Sequence, residues 1–284
     1  MQKGILYIVP TPIGNLEDIT LRALRVLRDV TLIAAEDTRT TRVLLQHYQI
    51  TTPLTSYHEH NKLLKLDVIF EALTKGDVAL VSDAGTPGIS DPGYELIQAA
   101  IARGYKIEPL PGANAILPAL VGSGLPTDEF VYLGFLPRKD KARRELFELL
   151  AQEQRTLVAY ESPNRLVETL QAIQQAFGER QICVARELSK VYEEFRRGLV
   201  SEVLAHYQAN PPRGEITLVI GGVVTKDEVW AEDQVRDALR LRLEAGESLS
   251  SASKEVAVES GWDKRTVYSL GTDYRSQNRP RNSE

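Results

Sequence analysis

The sequence predicts an α/β protein: two consecutive α/β domains followed by a small helical segment. Three observations carry this. Short apolar runs alternate with helix-spaced segments through the first half, which implies a mostly parallel sheet covered on both faces. A glycine-rich break at Gly122-Ser123-Gly124-Leu125-Pro126-Thr127 separates a second set of strands and helices. Beyond residue 222 the strand pattern ends and only helical patterns remain. The expected boundaries are 1–122, 127–222 and 233–271, with a polar, frayed tail over 272–284.

The elements follow in order. Ile5 to Val9 is a strand, and Leu16 to Asp29 has helical spacing with Leu21, Leu24 and Leu27 on one side. Leu32 to Ala35 is a second strand and Thr38 to Tyr48 a helix. Leu66 to Lys75 ends a helix at Gly76, a glycine placed to terminate it. Val78 to Val81 reads as the central strand, Tyr94 to Arg103 as a helix, Lys106 to Leu110 as a strand and Ala113 to Val121 as a helix. In the second domain Phe130 to Phe135, Thr156 to Tyr160, Ile182 to Glu187 and Glu215 to Ile220 read as strands, and Ser162-Pro163 starts a helix that stops at Gly178. A mixed sheet is expected there. In the third segment Asp233 to Glu244 is helical, and two shorter helices flank Gly261, as in a helix-turn-helix.

Composition is that of an ordinary soluble protein, with 43% hydrophobic and 26% charged residues among 284. No apolar run approaches a membrane span, and the opening apolar run is broken by Pro10 without a cleavage-site pattern. The single Cys183 rules out an intrachain disulfide. A cytoplasmic location is expected. The net charge of −5 is not the global footprint of a nucleic-acid binder, although local distribution is what decides. Arg138, Lys139, Lys141, Arg143 and Arg144 form the densest basic cluster, which reads equally as a solvated helix start.

The most informative stretch is Ser82-Asp83-Ala84-Gly85-Thr86-Pro87-Gly88-Ile89-Ser90-Asp91-Pro92-Gly93. It leaves a buried strand, where open α/β sheets bind ligands. Its glycines and prolines fix an unusual backbone path along which main chain can approach a small molecule. Asp91-Pro92 reads as a helix N-cap followed by proline at the first helical position. Val9-Pro10-Thr11-Pro12-Ile13-Gly14 ends the first strand with few free N–H groups and lacks the G-x-G-x-x-G fingerprint, so an ordinary dinucleotide-type site is excluded. Leu110-Pro111-Gly112-Ala113-Asn114-Ala115 ends another strand. Its N–H groups suit a polar ligand edge, and a plain strand-to-helix turn explains it equally.

These loops together resemble the tetrapyrrole methylase superfamily, and within it the branch that acts on small-subunit ribosomal RNA. Leu6 to Leu16 is similar to the opening strand and loop of that branch. Ala34-Ala35-Glu36-Asp37-Thr38-Arg39 and Tyr57-His58-Glu59-His60-Asn61 resemble its next two blocks. Tyr160-Glu161-Ser162-Pro163-Asn164-Arg165-Leu166 and Ala185-Arg186-Glu187-Leu188-Ser189-Lys190 resemble its second-domain blocks. The likeness runs from the first strand to Gly222. Asn164 stands where many members carry histidine and Ser189 where they carry threonine, so a histidine base at the first position is not available.

The resemblance implies a two-domain methylase fold with S-adenosylmethionine in the interdomain cleft. Pro10, Asp83, Gly85, Thr86, Pro87, Gly112, Ala113 and Tyr160 are then the expected cofactor contacts. It implies 2′-O-methylation of a cytidine ribose in the decoding region of 16S rRNA, with the small ribosomal subunit as partner and a homodimer as the assembly. Exposed edges of a mixed sheet favour such pairing. A ribose hydroxyl needs a proton acceptor within hydrogen-bond reach, and Glu187 and Lys190 are the candidates. The basic cluster is the expected RNA contact. The Glu36-Asp37-Thr38-Arg39 run offers carboxylates beside an arginine, more simply an internal salt bridge. His58 and His60 alone do not make a metal site, and none is expected. Two other functions share some features: C-methylation of a tetrapyrrole precursor, and a non-catalytic helix-turn-helix nucleic-acid binder.

Overall fold

The computed structural model describes residues 4–58, 62–223 and 230–277. They divide into two compact units, 1–223 and 224–284.

The first unit holds two five-stranded sheets. In the first, β1 (Ile5–Ile8), β2 (Leu32–Ala35), β3 (Leu54–Ser56), β4 (Val78–Val81) and β5 (Lys106–Pro109) run in the order β3-β2-β4-β1-β5, and every pairing is parallel. Strand β4 is central, as its apolar run predicts. Side chains alternate across it. Ala79 and Val81 join Leu24 and Leu27 of α1 (Leu21–Asp29) and Leu44 and Leu45 of α2 (Thr38–His47) on one face. Val78 and Leu80 join Ile69 and Leu73 of α3 (Lys62–Lys75) and Leu96 and Ala100 of α4 (Tyr94–Ala102) on the other.

Two local expectations are corrected. The segment from Leu16 to Asp29 is a short 3-10 turn, Leu16–Asp18, then α1, because Thr20 accepts the Ala23 N–H at 3.0 Å and restarts the helix. Asp91 does not cap α4. Gly93, at φ +154°, precedes the first helical residue Tyr94, and no side chain caps that end.

The second sheet is mixed, as expected. Strands β6 (Phe130–Phe135), β7 (Thr156–Glu161), β8 (Gln181–Arg186), β9 (Glu194–Leu199) and β10 (Ile216–Ile220) lie in the order β6-β7-β10-β8-β9. The β6–β7 pair is parallel and the rest antiparallel. Strand β9 and α8 (Val200–Ala209) are not evident as elements in the sequence, whereas α6 (Asp140–Leu149) begins where the basic cluster reads as a helix start. Helices α6, α7 (Leu166–Phe177) and α8 cover one face, where Phe147, Leu170, Ile173 and Tyr207 meet Leu157, Val184 and Leu218. The other face is covered by α5 (Ile116–Ser123), whose Ala119 and Leu120 pack on Val158, Cys183 and Val219. Helix α5 starts at Ile116 rather than Ala113, and it packs on the second sheet although it follows β5 in the chain.

In the second unit, α9 (Glu232–Glu244), α10 (Leu249–Ser260) and α11 (Lys264–Gln277) bury Val235, Leu239, Ala252, Val256 and Val267. Gly261 turns the chain between α10 and α11 at φ +69°. The expected tail begins inside α11, and residues 278–284 lie outside the described ones. No helix among the described residues is long and apolar enough to cross a membrane.

Candidate functional site

A cavity of about 600 Å³ opens between the two sheets of the first unit, a size suited to a cofactor-scale molecule. Its first wall is the set of loops at the carboxyl ends of β1, β4 and β5. These loops are tied together: Thr11 and Gly85 exchange N–H···O bonds of 2.9 and 2.8 Å. Thr86 donates its hydroxyl to the Ala113 carbonyl at 3.2 Å. Gly112 lies so close to Pro10 that a Cβ there would sit 2.7 Å from the proline ring. Gly85, at φ +80°, takes the left-handed backbone that lets the loop turn. The second wall comes from Tyr132, Phe135, Tyr160, Ala185, Leu188 and Thr217 on the second sheet and its loops. Tyr132 and Tyr160 meet edge to face with centroids 5.5 Å apart.

Of the residues expected to touch a cofactor, Gly85, Thr86 and Tyr160 line the cavity. Pro10, Gly112 and Ala113 stand behind it and fix the loops by the contacts just given. Asp83 accepts the Asp37 N–H at 3.0 Å, and its own N–H donates to Glu36 at 3.3 Å, tying β2 to β4. Pro87 is not among the lining residues. Ile13, Asn114 and Asp91 are, although the sequence singles out none of them as contacts. The Asn114 side chain accepts the Leu117 N–H at 2.9 Å, so this loop caps α5 from its own side chain.

Three carboxylates line the cavity: Asp91, Glu161 and Glu215. Glu161 has a fully buried side chain and is saturated with partners: Arg165 at 2.5 Å, the Thr169 hydroxyl at 2.6 Å and the Ser162 N–H at 2.6 Å. Glu215 is bonded by Lys190 at 3.1 Å. Asp91 alone of the three has no ion pair among the described residues. Burial, with the negative charge of Glu36 and Asp83 beside it, pushes its carboxyl up to about 7 against the bond from Ser82. Burial also raises Glu36 and Asp83. Asp37 differs: its bonds with Arg39 hold it down at about 2, so the expected internal salt bridge is present.

The pair considered as proton acceptors forms a clamp. Lys190 reaches Glu187 at 2.9 Å as well as Glu215. Burial alone would lower the ammonium, but the two carboxylates raise it on balance. The Glu215 N–H and Lys190 lower the Glu187 carboxyl. Both groups are thus held charged, Lys190 without a free lone pair and Glu187 weakly basic. Glu187 and Ser189 sit at φ +52° and +67°, left-handed conformations that non-glycine residues rarely adopt. Lys190 also lies across Gly14, where a Cβ would meet its Cγ at 2.3 Å. The turn locks Leu188 into the cavity wall.

The basic cluster follows Phe135, a cavity residue. Arg138, Lys139, Lys141 and Arg144 are exposed. Arg143 departs from the expectation. Its side chain is 3% exposed and pairs with Asp140 and, at 3.7 Å, with Glu168. It shares a buried face of α6 with Phe147, so it supports the helix and is not available to a phosphate. Of the histidine block, His58 is described and Glu59 and His60 lie outside the described residues; no group suited to hold a metal occurs among those described.

Two helix-covered five-stranded sheets with a cavity between them, walled on one side by strand-end loops, frame a small-molecule site, and residues 5–204 match the family of tetrapyrrole (corrin/porphyrin) methylases. The chain belongs to that family and is a methyltransferase. A relative from Synechocystis, named ribosomal RNA small subunit methyltransferase I, is 48% identical over 95% of this chain and 98% of its own. Relatives with the same name from Bacillus subtilis and Thermotoga maritima are 46% and 49% identical, covering 93% and 77% of this chain and 93% and 99% of theirs. The crystal structure of the cobalamin biosynthetic enzyme cobalt precorrin-4 methyltransferase matches in fold with a TM-score of 0.59 at 15% identity, covering 76% of this chain and 94% of that one.

Proposed function

We propose that the protein is an S-adenosylmethionine-dependent rRNA methyltransferase that methylates a cytidine ribose 2′-oxygen in the decoding region of 16S rRNA, on the small ribosomal subunit. The observation that carries this reading is the cavity, walled by both sheets, in a chain whose relatives at 41–49% identity are named for small-subunit rRNA methylation. The cavity's chemistry fits the cofactor. Its walls are mainly apolar and aromatic, with Thr86, Asn114, Ser162 and Thr217 as polar points. Tyr132, Phe135 and Tyr160 suit a flat adenine. When bound, S-adenosylmethionine supplies a methyl group on a positively charged sulfur. The protein's part is to hold that group and the acceptor in line while excluding water, which is worth several kcal/mol of barrier.

Gly85, Thr86 and Tyr160 touch the cofactor in this reading, and Pro10, Asp83, Pro87, Gly112 and Ala113 hold the loops that do. Glu187 and Lys190 act as positioning residues through Leu188 and Glu215. Arg138, Lys139, Lys141 and Arg144, at the end of the cavity wall, contact phosphates, with help from the helical unit. Phosphate contacts set position, whereas selection of the ribose needs groups that sense the 2′-oxygen. We further place the enzyme in the cytoplasm as a homodimer.

The test is methyl transfer from labelled S-adenosylmethionine to small subunits of an unmethylated strain. A 2′-O-methyl group blocks alkaline cleavage at one phosphodiester, which locates the product. Label that enters a base, or no label at all, refutes the reading. Replacing the four exposed basic residues with glutamine should weaken RNA binding and flatten its salt dependence, by up to about 0.9 in log–log slope for each phosphate that is no longer neutralised. Cofactor affinity should stay unchanged.

A further inference from the structure

The reading above leaves the hydroxyl proton without an acceptor, since Lys190 is held protonated, Glu187 is made weakly basic by Lys190 and the Glu215 N–H, and neither lines the cavity. From the convergence of loop geometry and cavity lining, we infer that the Asp91 carboxylate is the group that takes the proton from the attacking ribose hydroxyl. The inference rests on the proposed O-methylation.

Elimination is the first argument. Glu161 is saturated by Arg165, Thr169 and the Ser162 N–H, and Glu215 is engaged by Lys190. Asp91 faces the same cavity with no ion pair among the described residues. The loop that carries it is the second. Gly88, Ser90 and Gly93 lie at φ +84°, +61° and +154°. Ser90 is not glycine, so its left-handed backbone is strained and must be held by its surroundings. The holding contact is visible: the Ser90 and Tyr132 hydroxyls lie 2.7 Å apart, joining the loop to the second sheet. A Cβ on Gly93 would come within 3.1 Å of the Gly88 nitrogen, so the loop closes tightly on itself. The strained path turns Asp91 away from the helix it would otherwise cap and into the cavity wall.

The surroundings then suit a proton acceptor working near neutrality. Glu36 at the end of β2 and Asp83 after β4 face it from the first sheet, with Asp37 and Arg39 beyond them. From the second sheet only the phenols of Tyr132 and Tyr160 face it, both raised chiefly by burial and so neutral. The Ser82 hydroxyl partly offsets the rise of the Asp91 carboxyl. In the step, the hydroxyl proton passes to Asp91, the O–H electron pair becomes the new O–CH3 bond, and the S–CH3 pair stays with sulfur as a neutral thioether. Asp91 then loses the proton to water.

The experiment compares the parent with D91N and D91E on unmethylated small subunits in single turnover, between about pH 6 and 9. Carboxyl 13C NMR and calorimetric S-adenosylmethionine binding run in parallel. The parent should show one aspartate titrating near 7 that is absent from D91N. D91N should lose at least about 100-fold in rate and the acidic limb of the profile, with cofactor affinity within about threefold. D91E should restore part of the rate and the limb. The inference is overturned if D91N keeps the rate and the limb, if its affinity falls in step with its rate, or if every aspartate titrates in the ordinary range. A parent that binds the cofactor yet leaves subunits unmethylated refutes the O-methylation reading instead, before any variant is compared.

Discussion

Replacing Arg165 with methionine should expose how much the second sheet relies on a single buried ion pair. Arg165 is the only counter-charge of Glu161 among the described residues, and the Glu161 side chain is fully buried. Removing one partner of such a pair leaves an uncompensated buried charge, at a cost of about 3–5 kcal/mol. The bonds from Thr169 and the Ser162 N–H remain at 2.6 Å each, so the lower end, about 3 kcal/mol, is expected. That is a large share of a typical total of about 5–15 kcal/mol. With an m-value of about 4 kcal/mol/M in guanidinium chloride, the unfolding midpoint should fall by about 0.75 M. The double variant E161Q/R165M removes both charges while the new amide can still bond Thr169, so it should recover more than half of the loss. Equilibrium unfolding followed by circular dichroism measures all three proteins. A single variant within about 0.2 M of the parent, or a double variant no more stable than the single, would refute the reasoning.

Further outcomes are expected elsewhere. Thr86→Trp should fill the cavity beside Gly85 and abolish S-adenosylmethionine binding with little change in melting temperature; unchanged calorimetric affinity would reject that placement. For pH, an aspartate whose folded carboxyl is raised to about 7 makes the unfolded state ionise first. Its stability is therefore full below the ordinary aspartate range and declines as pH rises through that range toward 7, so D91N should melt higher than the parent at pH 8 and equally at about pH 4. Each kcal/mol relieved corresponds to about 2–4 °C, and equal melting at pH 8 would contradict the assigned environment. Gly112→Ala should cost about 1–3 kcal/mol by forcing its Cβ against the Pro10 ring, measured by thermal unfolding. A chain cut after Val223 should keep the parent's cofactor affinity, because every cavity residue lies between Ile13 and Thr217; a tenfold weaker Kd would argue otherwise.

Where the sequence is readable, a short-range signal matches a short-range cause. The apolar run at Val78 marks the central strand because parallel strands are buried on both faces, and the glycine-proline loops mark the strand ends that form the cavity's first wall. Strand β9 is hidden because Arg196 and Arg197 interrupt its apolar pattern at the sheet edge, so no apolar run announces it. Arg143 looks like one charge in a run, yet its spacing to Phe147 places both on one helix face, a cue the charge count obscures. Asp91 misleads because Asp-Pro has the local signature of a helix start. Only the tertiary position of Gly88 and Gly93 sets the helix start at Tyr94. Of the aromatic wall only Tyr160 is legible, through the resemblance; Tyr132 and Phe135 join it through the pairing of β6 with β7.

Helix α5 follows β5 in the chain but seats on strands synthesised later. Phe195 of β9 lies against Gly122, and Arg197 holds the Gly122 carbonyl at 3.0 Å. On the ribosome, the first sheet can close once residue 109 has emerged, whereas α5 must wait for strands up to Ile220 before its apolar side has a seat. During that interval Ala119 and Leu120 are exposed beside a finished neighbour. The nascent chain therefore passes through a stage with a folded first half and a sticky trailing helix, the stage at which chaperone capture or stalling should be greatest.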